Sequence, residues 1–154
     1  METGIRVHDL MTRNPVCVNK NTSLKECAEI MEKESIGSLL ILGNDNELHG
    51  IITEQDIVRK AVAKNLSSET QIKNIAETRV NTITPDKDVF TAIKIMADNN
   101  IRHLPVMDEN SQELLGLVTL KDILKIQPQL FELLVDKIEL KEQENKLSLV
   151  DDEL

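Results

Sequence analysis

The sequence predicts a mixed α/β protein made of two similar β-α-β-β-α units followed by a C-terminal helix. The main observation is an internal repeat, because Gly-Ile-Ile-Thr-Glu-Gln-Asp at 50–56 returns as Gly-Leu-Val-Thr-Leu-Lys-Asp at 116–122. Each copy is preceded by a helical pattern, an apolar run and a turn in the same order. A repeated supersecondary unit buries its apolar face against a neighbouring copy, so we expect two units packed as a pseudo-twofold pair.

The first repeat starts at Val7 and contains a short extended run at 15–18. Ser23 has a glutamate three residues later, which is the spacing of a capping box, and apolar residues then recur at helical intervals. The apolar run 38–42 and the segment 48–53 flank a turn rich in Asn and Asp, which predicts a hairpin. A second helix is expected to start after Thr53.

The second repeat has the same order of elements. We expect a short strand at 81–84, a helix whose apolar face begins at Val89, and a strand at 104–107. A turn leads to the partner strand at 114–119, and a last helix begins at Asp122.

The expected division of the chain follows from these repeats and from Pro128, which interrupts the helical pattern. It comprises repeat one at 1–64, a polar linker at 65–74, repeat two at 75–127, an amphipathic helix at 128–147 and a disordered tail at 148–154.

The composition excludes several classes of function. The net charge is −9, whereas nucleic acids and anionic membranes bind a basic protein face. There is no run of about 18 apolar residues that could span a membrane, and no secretory signal is visible. We therefore expect a cytoplasmic protein without nucleic-acid or membrane partners. Cys17 and Cys27 lie on apolar faces of predicted elements, so we interpret both as reduced core residues.

Three motifs together resemble the cystathionine-β-synthase (CBS) domain pair over residues 5–127. They are the duplicated Gly-aliphatic-aliphatic-Thr-x-x-Asp, the segment Ile-Arg-His-Leu-Pro-Val at 101–106, and Asp-Leu-Met-Thr at 9–12. The resemblance implies a Bateman module, in which two units pack through their sheets and leave clefts between them. Such modules bind adenosine-containing ligands such as AMP, ADP, ATP or S-adenosylmethionine, and they often form disc-shaped dimers.

The duplicated Thr-x-x-Asp has two interpretations that are compatible with each other. It is the sequence of a capping box, in which the threonine and the acidic residue satisfy the first amides of a helix. In the context of the family, the aspartate would accept from the two ribose hydroxyls, with the threonine adding a contact. We expect ribose contacts at Thr119 and Asp122, and also at Thr53 and Asp56.

The second repeat carries the stronger candidate site. Arg102 and His103 are candidate phosphate ligands, although His103 could also be an ordinary half-exposed histidine. Pro105 lacks a backbone donor, so we expect it to line the cleft beside the adenine and not to join the strand ladder. The candidate residues of this site are Thr82, Ile83, Arg102, His103, Leu104, Pro105, Val106, Thr119, Lys121 and Asp122.

The first repeat departs from this pattern, because Gly-Ser-Leu-Leu-Ile at 37–41 lacks the arginine, the histidine and the proline. The two sites should therefore differ in affinity or in ligand. The candidate residues of this weaker site are Val16, Cys17, Ser38, Leu39, Leu40, Thr53 and Asp56.

The sequence shows no catalytic constellation and no His or Cys spacing typical of a metal site, so we expect neither an enzyme nor a metalloprotein. The hypothesis is a regulatory sensor of an adenine nucleotide or S-adenosylmethionine that works as a homodimer and signals to an unknown effector protein. The alternative is a dimeric interaction adaptor that uses the C-terminal helix, with weak or absent nucleotide binding.

Overall fold

The computed structural model describes residues 2–126 and 128–151, which form two compact units. One unit is Asn14–Val80, and the other joins the segment up to Arg13 to the chain from Asn81 onward. We call them the first-site unit and the second-site unit. Each contains a three-stranded sheet with helices, so the predicted mixed α/β class is confirmed.

The helices and strands follow the order expected from the two repeats, apart from an additional first helix and the absence of a strand at 81–84. They are α1 (Val7–Leu10), β1 (Thr12–Arg13), β2 (Cys17–Asn19), α2 (Leu24–Glu34), β3 (Ser38–Leu42), β4 (Leu48–Thr53), α3 (Glu54–Asp56), α4 (Val89–Asn99), β5 (His103–Met107), β6 (Leu114–Thr119), α5 (Leu120–Ile126) and α6 (Pro128–Asp151). The sheet orders are β2-β3-β4 and β1-β6-β5.

The equivalent helices α2 and α4 begin and end in the same way. Ser23 and Asp88 each accept a hydrogen bond from an amide of the first turn, as an N-cap does. Ser35 and Asn100 end the two helices in the left-handed conformation, with φ of 55° and 52°. The similarity between the two repeats therefore includes the way in which these helices begin and end.

The helix after Thr53 is less regular than predicted. The single turn α3 continues into a π-helical turn at Ile57–Ala61 and a 3-10 turn at Val62–Lys64. The equivalent helix α5 is a regular α-helix.

The start of each repeat pairs with the sheet of the other repeat. Thr12 lies opposite Leu117 in the antiparallel pair of β1 and β6. In the first-site unit, Ile51 and Glu77 exchange two backbone hydrogen bonds, of 3.0 and 3.1 Å. The first residues of each repeat therefore pair with the sheet that contains the hairpin of the other repeat.

The repeated glycines make this pairing possible. A Cβ atom on Gly116 would lie 2.6 Å from the carbonyl oxygen of Thr12, and one on Gly50 would lie 2.6 Å from that of Glu77. No side chain fits at such distances, so glycine is the residue that permits the close backbone approach. The first residue of the Gly-x-x-Thr-x-x-Asp motif thus has a structural role.

The compact units consequently do not coincide with the boundaries expected from the sequence. The segment up to Arg13 packs with the second repeat's hairpin and not with the rest of 1–64. Residues 65–74 were expected to be a linker but pack within the first-site unit, where Ile72 is fully buried. The amides of Leu24 and Lys25 also donate to carbonyls of this segment.

The strand expected at 81–84 is reduced to a single parallel bridge at Ile83. The amide of Leu40, in β3, donates to the carbonyl of Val16 at 3.3 Å. Pro105 occupies the equivalent place in β5 and has no N–H to donate, so the parallel ladder cannot extend beyond Ile83.

The C-terminal helix α6 packs against α4 and α5 of its own unit. It continues to Asp151, beyond the helix end expected at 147, and residues 152–154 lie outside the described residues. The segment contains Glu, Lys, Gln and Leu without Gly or Pro, which favours a continuous helix. Among the described residues, no helix has both the length and the apolar character needed to cross a membrane.

Candidate functional site

The strongest candidate site lies where β6 passes into α5. The Oδ2 atom of Asp122 accepts hydrogen bonds of 2.9 Å from both the amide and the hydroxyl of Thr119. The amide of Asp122 donates back to the threonine hydroxyl at 3.3 Å. The capping interpretation of this motif is therefore confirmed. Within the part of the chain that the structure describes, Oδ1 of Asp122 makes no hydrogen bond or ion pair.

The equivalent corner of the first-site unit has the same capping box but different side-chain partners. Thr53 and Asp56 form the same capping box, with hydrogen bonds of 3.0 and 3.2 Å. The remaining carboxylate atom, Oδ1 of Asp56, lies 3.0 Å from Nζ of Lys60. Both oxygens of this aspartate are therefore occupied.

The hairpin of each unit brings a second candidate residue next to the corner. His103 lies directly opposite Thr119 in the antiparallel pair of β5 and β6, and Ser38 lies opposite Thr53. Directly opposed residues are about 4.5–5.5 Å apart in such pairs. The half-buried His103 thus lies beside the Thr119–Asp122 corner.

The cationic candidates of the second-site unit lie at its surface. Arg102 is exposed, and its backbone carbonyl accepts a hydrogen bond of 2.9 Å from the amide of Leu120 at the start of α5. Lys121 is exposed in the first turn of α5. Arg13 also belongs to this unit, because β1 pairs with β6. The residues around Arg13 carry no sign in the sequence that the start of the first repeat joins the sheet of the second.

The apolar candidates of the second-site unit are mostly core residues. Ile83, Leu104 and Val106 are buried in the unit's hydrophobic core, so only their backbone groups could face a ligand. Thr82 is exposed. Pro105 is buried inside β5 opposite Leu117, so the expectation that it would stay outside the ladder is wrong.

The apolar candidates of the first-site unit follow the same pattern. Leu39 and Leu40 are fully buried, whereas Val16, Cys17 and Ser38 are half-buried. Burial raises the pKa of the Cys17 thiol, which lies 3.2 Å from the carbonyl oxygen of Pro15. Cys17 is therefore a protonated and partly accessible thiol.

Sequence reasoning did not single out Lys60. The signal was present, because Asp56 and Lys60 are four residues apart and would face each other on a helix. The described residues contain no group of three or more His, Cys, Asp or Glu side chains that could hold a metal ion.

Comparison with known proteins identifies the repeated unit. The family model described as "CBS domain" matches residues 7–63 and 72–128. An uncharacterised protein of Methanopyrus kandleri is 34% identical over 128 residues, which cover 82% of this chain and 65% of that protein.

Two solved structures share the fold at similar levels of identity. The CBS domain pair of protein MJ0100, in complex with 5′-methylthioadenosine and S-adenosyl-L-methionine, is 33% identical with a TM-score of 0.72, covering 79% of this chain and 94% of that one. Hypoxic Response Protein I, solved with two coordinated zinc ions, is 30% identical with a TM-score of 0.71, covering 80% of this chain and 100% of that one.

Proposed function

Because this chain belongs to the CBS domain family, we propose that it is a cytoplasmic regulatory protein, and not an enzyme, that binds an adenosine-containing ligand. The ligand is AMP, ADP, ATP or S-adenosylmethionine, bound chiefly by the second-site unit. A similar CBS domain pair binds 5′-methylthioadenosine and S-adenosyl-L-methionine, and both of these contain adenosine.

The observation that carries the proposal is the geometry of Asp122. Thr119 holds one carboxylate oxygen in place with two hydrogen bonds, and the other has no hydrogen-bond or ion-pair partner among the described residues. A carboxylate with a free oxygen at the end of a strand can accept from vicinal ribose hydroxyls, as acidic residues do in other nucleotide-binding folds. Because the capping box fixes the side chain, little conformational entropy is lost when the sugar binds.

Charge supports a ligand that carries phosphate. Arg102 and Lys121 are exposed cations on the two segments that flank the corner, and His103 lies opposite Thr119. Arginine offers a planar fork that matches phosphate oxygens. In a protein with a net charge of −9, a local group of cations favours an anionic ligand at that point.

The regulatory step requires two states with different affinity for the ligand, since binding shifts an equilibrium only by that difference. The proposed response is a change in conformation or self-association that an effector protein detects. A homodimer fits this role. Val58 and Val62 are 60% and 68% exposed, and they lie in the consecutive π-helical and 3-10 turns of the first-site unit.

The experiment is a thermal-shift series with AMP, ADP, ATP, S-adenosylmethionine and 5′-methylthioadenosine, with GMP as the control for base recognition. We expect at least one adenosine compound to raise the melting temperature of the wild type. The Asp122→Asn variant should lose most of that shift. If no adenosine compound raises the melting temperature at millimolar concentration, the proposal is wrong.

One observation favours the second candidate function, an interaction adaptor. Leu140 and Leu147 are 60% and 66% exposed, seven residues apart along α6. This spacing places them on nearly the same side of a helix, as in a coiled-coil seam. If Leu140→Lys and Leu147→Lys disrupt a dimer in analytical ultracentrifugation while nucleotides have no effect on stability, the adaptor function is favoured.

A further inference from the structure

The two Thr-x-x-Asp corners share the backbone hydrogen bonds of a capping box but differ in the side-chain partners of the carboxylate: the hydroxyl of Thr119 donates to Asp122, and the ammonium group of Lys60 pairs with Asp56. In both, one aspartate oxygen accepts from the amide of the threonine at 2.9–3.0 Å. The second oxygen of Asp56 lies 3.0 Å from the ammonium group of Lys60, whereas that of Asp122 has no such partner among the described residues. The difference lies at the atom that a ribose hydroxyl would need.

The chemical reason for the difference is a single residue. Lys60 is four residues after Asp56, and the residue four after Asp122 is Ile126, which is 51% exposed and carries no charge. Lys60 lies in the π-helical turn of the first-site unit, whereas Ile126 ends the regular helix α5. The side chain of Asp56 is only 15% exposed, so its ion pair is partly shielded from water.

We infer that Lys60 is a specificity-determining residue that weakens ribose binding in the first-site unit by occupying the free oxygen of Asp56. The inference rests on the proposed function and extends it by giving a reason why the two sites differ in affinity for ribose. A sugar hydroxyl must displace the ammonium group before it can donate to Oδ1, so binding loses the free energy of the ion pair. Partly exposed pairs of this kind contribute little, which sets the expected effect at about two- to fivefold in Kd.

The test replaces Lys60 in the first-site unit and, separately, Ile126 in the second-site unit, and it uses adenosine as the probe. Adenosine is uncharged, so any attraction between Lys60 and a phosphate does not enter the measurement. Isothermal titration calorimetry in an Asp122→Asn background reports on the first-site unit. There, Lys60→Ile and Lys60→Met should each tighten adenosine binding about two- to fivefold. Lys64→Ile, which removes an exposed lysine of the same segment, should leave it unchanged.

The reciprocal substitution tests the same idea in the second-site unit. In an Asp56→Asn background, Ile126→Lys places a lysine four residues after Asp122 and should weaken adenosine binding by a similar factor. Far-ultraviolet circular dichroism and melting curves confirm that each variant is folded.

Two results overturn the inference. One is that neither Lys60 substitution changes the Kd for adenosine, and the other is that Lys64→Ile tightens binding equally, which would indicate a general charge effect. If adenosine binds the wild type and Asp122→Asn weakens it while Lys60 has no effect, only the inference fails. If adenosine binds neither the wild type nor any variant, the proposed function fails as well.

Discussion

The α-carbon of Gly116 faces the backbone of Thr12 so closely that a Cβ atom there would lie 2.6 Å from the threonine carbonyl oxygen. Gly50 has the same relationship to the carbonyl oxygen of Glu77. The duplicated motif therefore combines two requirements. Its glycine admits a neighbouring strand, and its Thr-x-x-Asp end forms the candidate binding corner.

Gly116→Ala should lower the free energy of unfolding by about 1–3 kcal/mol, because the added methyl group meets backbone that cannot move aside like a flexible side chain. The measurement is urea unfolding followed by circular dichroism. Gly37→Ala is the matched control, since its Cβ would meet only the mobile carboxylate of Glu54 at 3.3 Å. Equal destabilisation by the two substitutions would contradict the proposed role of Gly116.

Asp88 should make the stability of the second-site unit depend on pH in the acidic range. Burial opposes the ionisation of Asp88, but hydrogen bonds from the amides of Phe90, Thr3 and Gly4 and from the Thr3 hydroxyl outweigh it and lower its pKa below the ordinary 3.8. A carboxylate with a lowered folded-state pKa contributes stability that is complete well above pH 3.8 and is lost as the pH falls through the folded-state value.

Asp88→Ala should therefore cost about 1–2 kcal/mol at pH 7, the usual value of an N-cap, and less below about pH 4. Urea unfolding of the wild type and the variant at pH 7, 5, 4 and 3 gives this difference. Asp88→Asn keeps a capping side chain without the charge, so it should cost less and show no acid dependence of its own. A difference between wild type and Asp88→Ala that is constant across this range would contradict the assignment.

Cys17 should report on the occupancy of the first-site unit. Cys17 is half-buried and Cys27 is fully buried. Burial, with a smaller contribution from Glu26, raises the pKa of Cys27 to about 11. A maleimide reagent at pH 8 should modify Cys17 slowly and Cys27 only after unfolding. Saturating adenosine should slow the modification of Cys17, as measured by mass spectrometry, and an unchanged rate would argue against Cys17 as a site residue.

The sequence predicts the structure well where interactions between residues close together in the chain determine it. The capping pair of Thr119 and Asp122 and the hairpin that ends there follow from short-range signals of spacing and turn composition. The internal repeat predicted the mixed α/β class because both copies carry the same signals.

Long-range pairing could not be predicted in the same way. Nothing in the residues around Thr12 indicates that they join β6, since that pairing is between segments about 100 residues apart. Pro105 was only partly informative. The sequence shows that it lacks a backbone N–H donor, but the effect of that loss on the parallel ladder depends on which strand lies beside β5. The Asp56–Lys60 pair was readable in principle from its four-residue spacing.

The central claim is that Asp122 binds a ribose diol, and the most direct test compares adenosine with 2′-deoxyadenosine on the wild type and on Asp122→Asn by isothermal titration calorimetry. Hydrogen bonds to a charged group contribute about 1.5–3 kcal/mol, so the wild type should bind adenosine at least about tenfold more tightly than the deoxynucleoside. In an Asp56→Asn background, which removes the other candidate ribose contact, that preference should nearly disappear when Asp122→Asn is added. Equal affinity of the wild type for the two nucleosides, or a preference in the Asp56→Asn background that persists after Asp122→Asn is added, would contradict the claim.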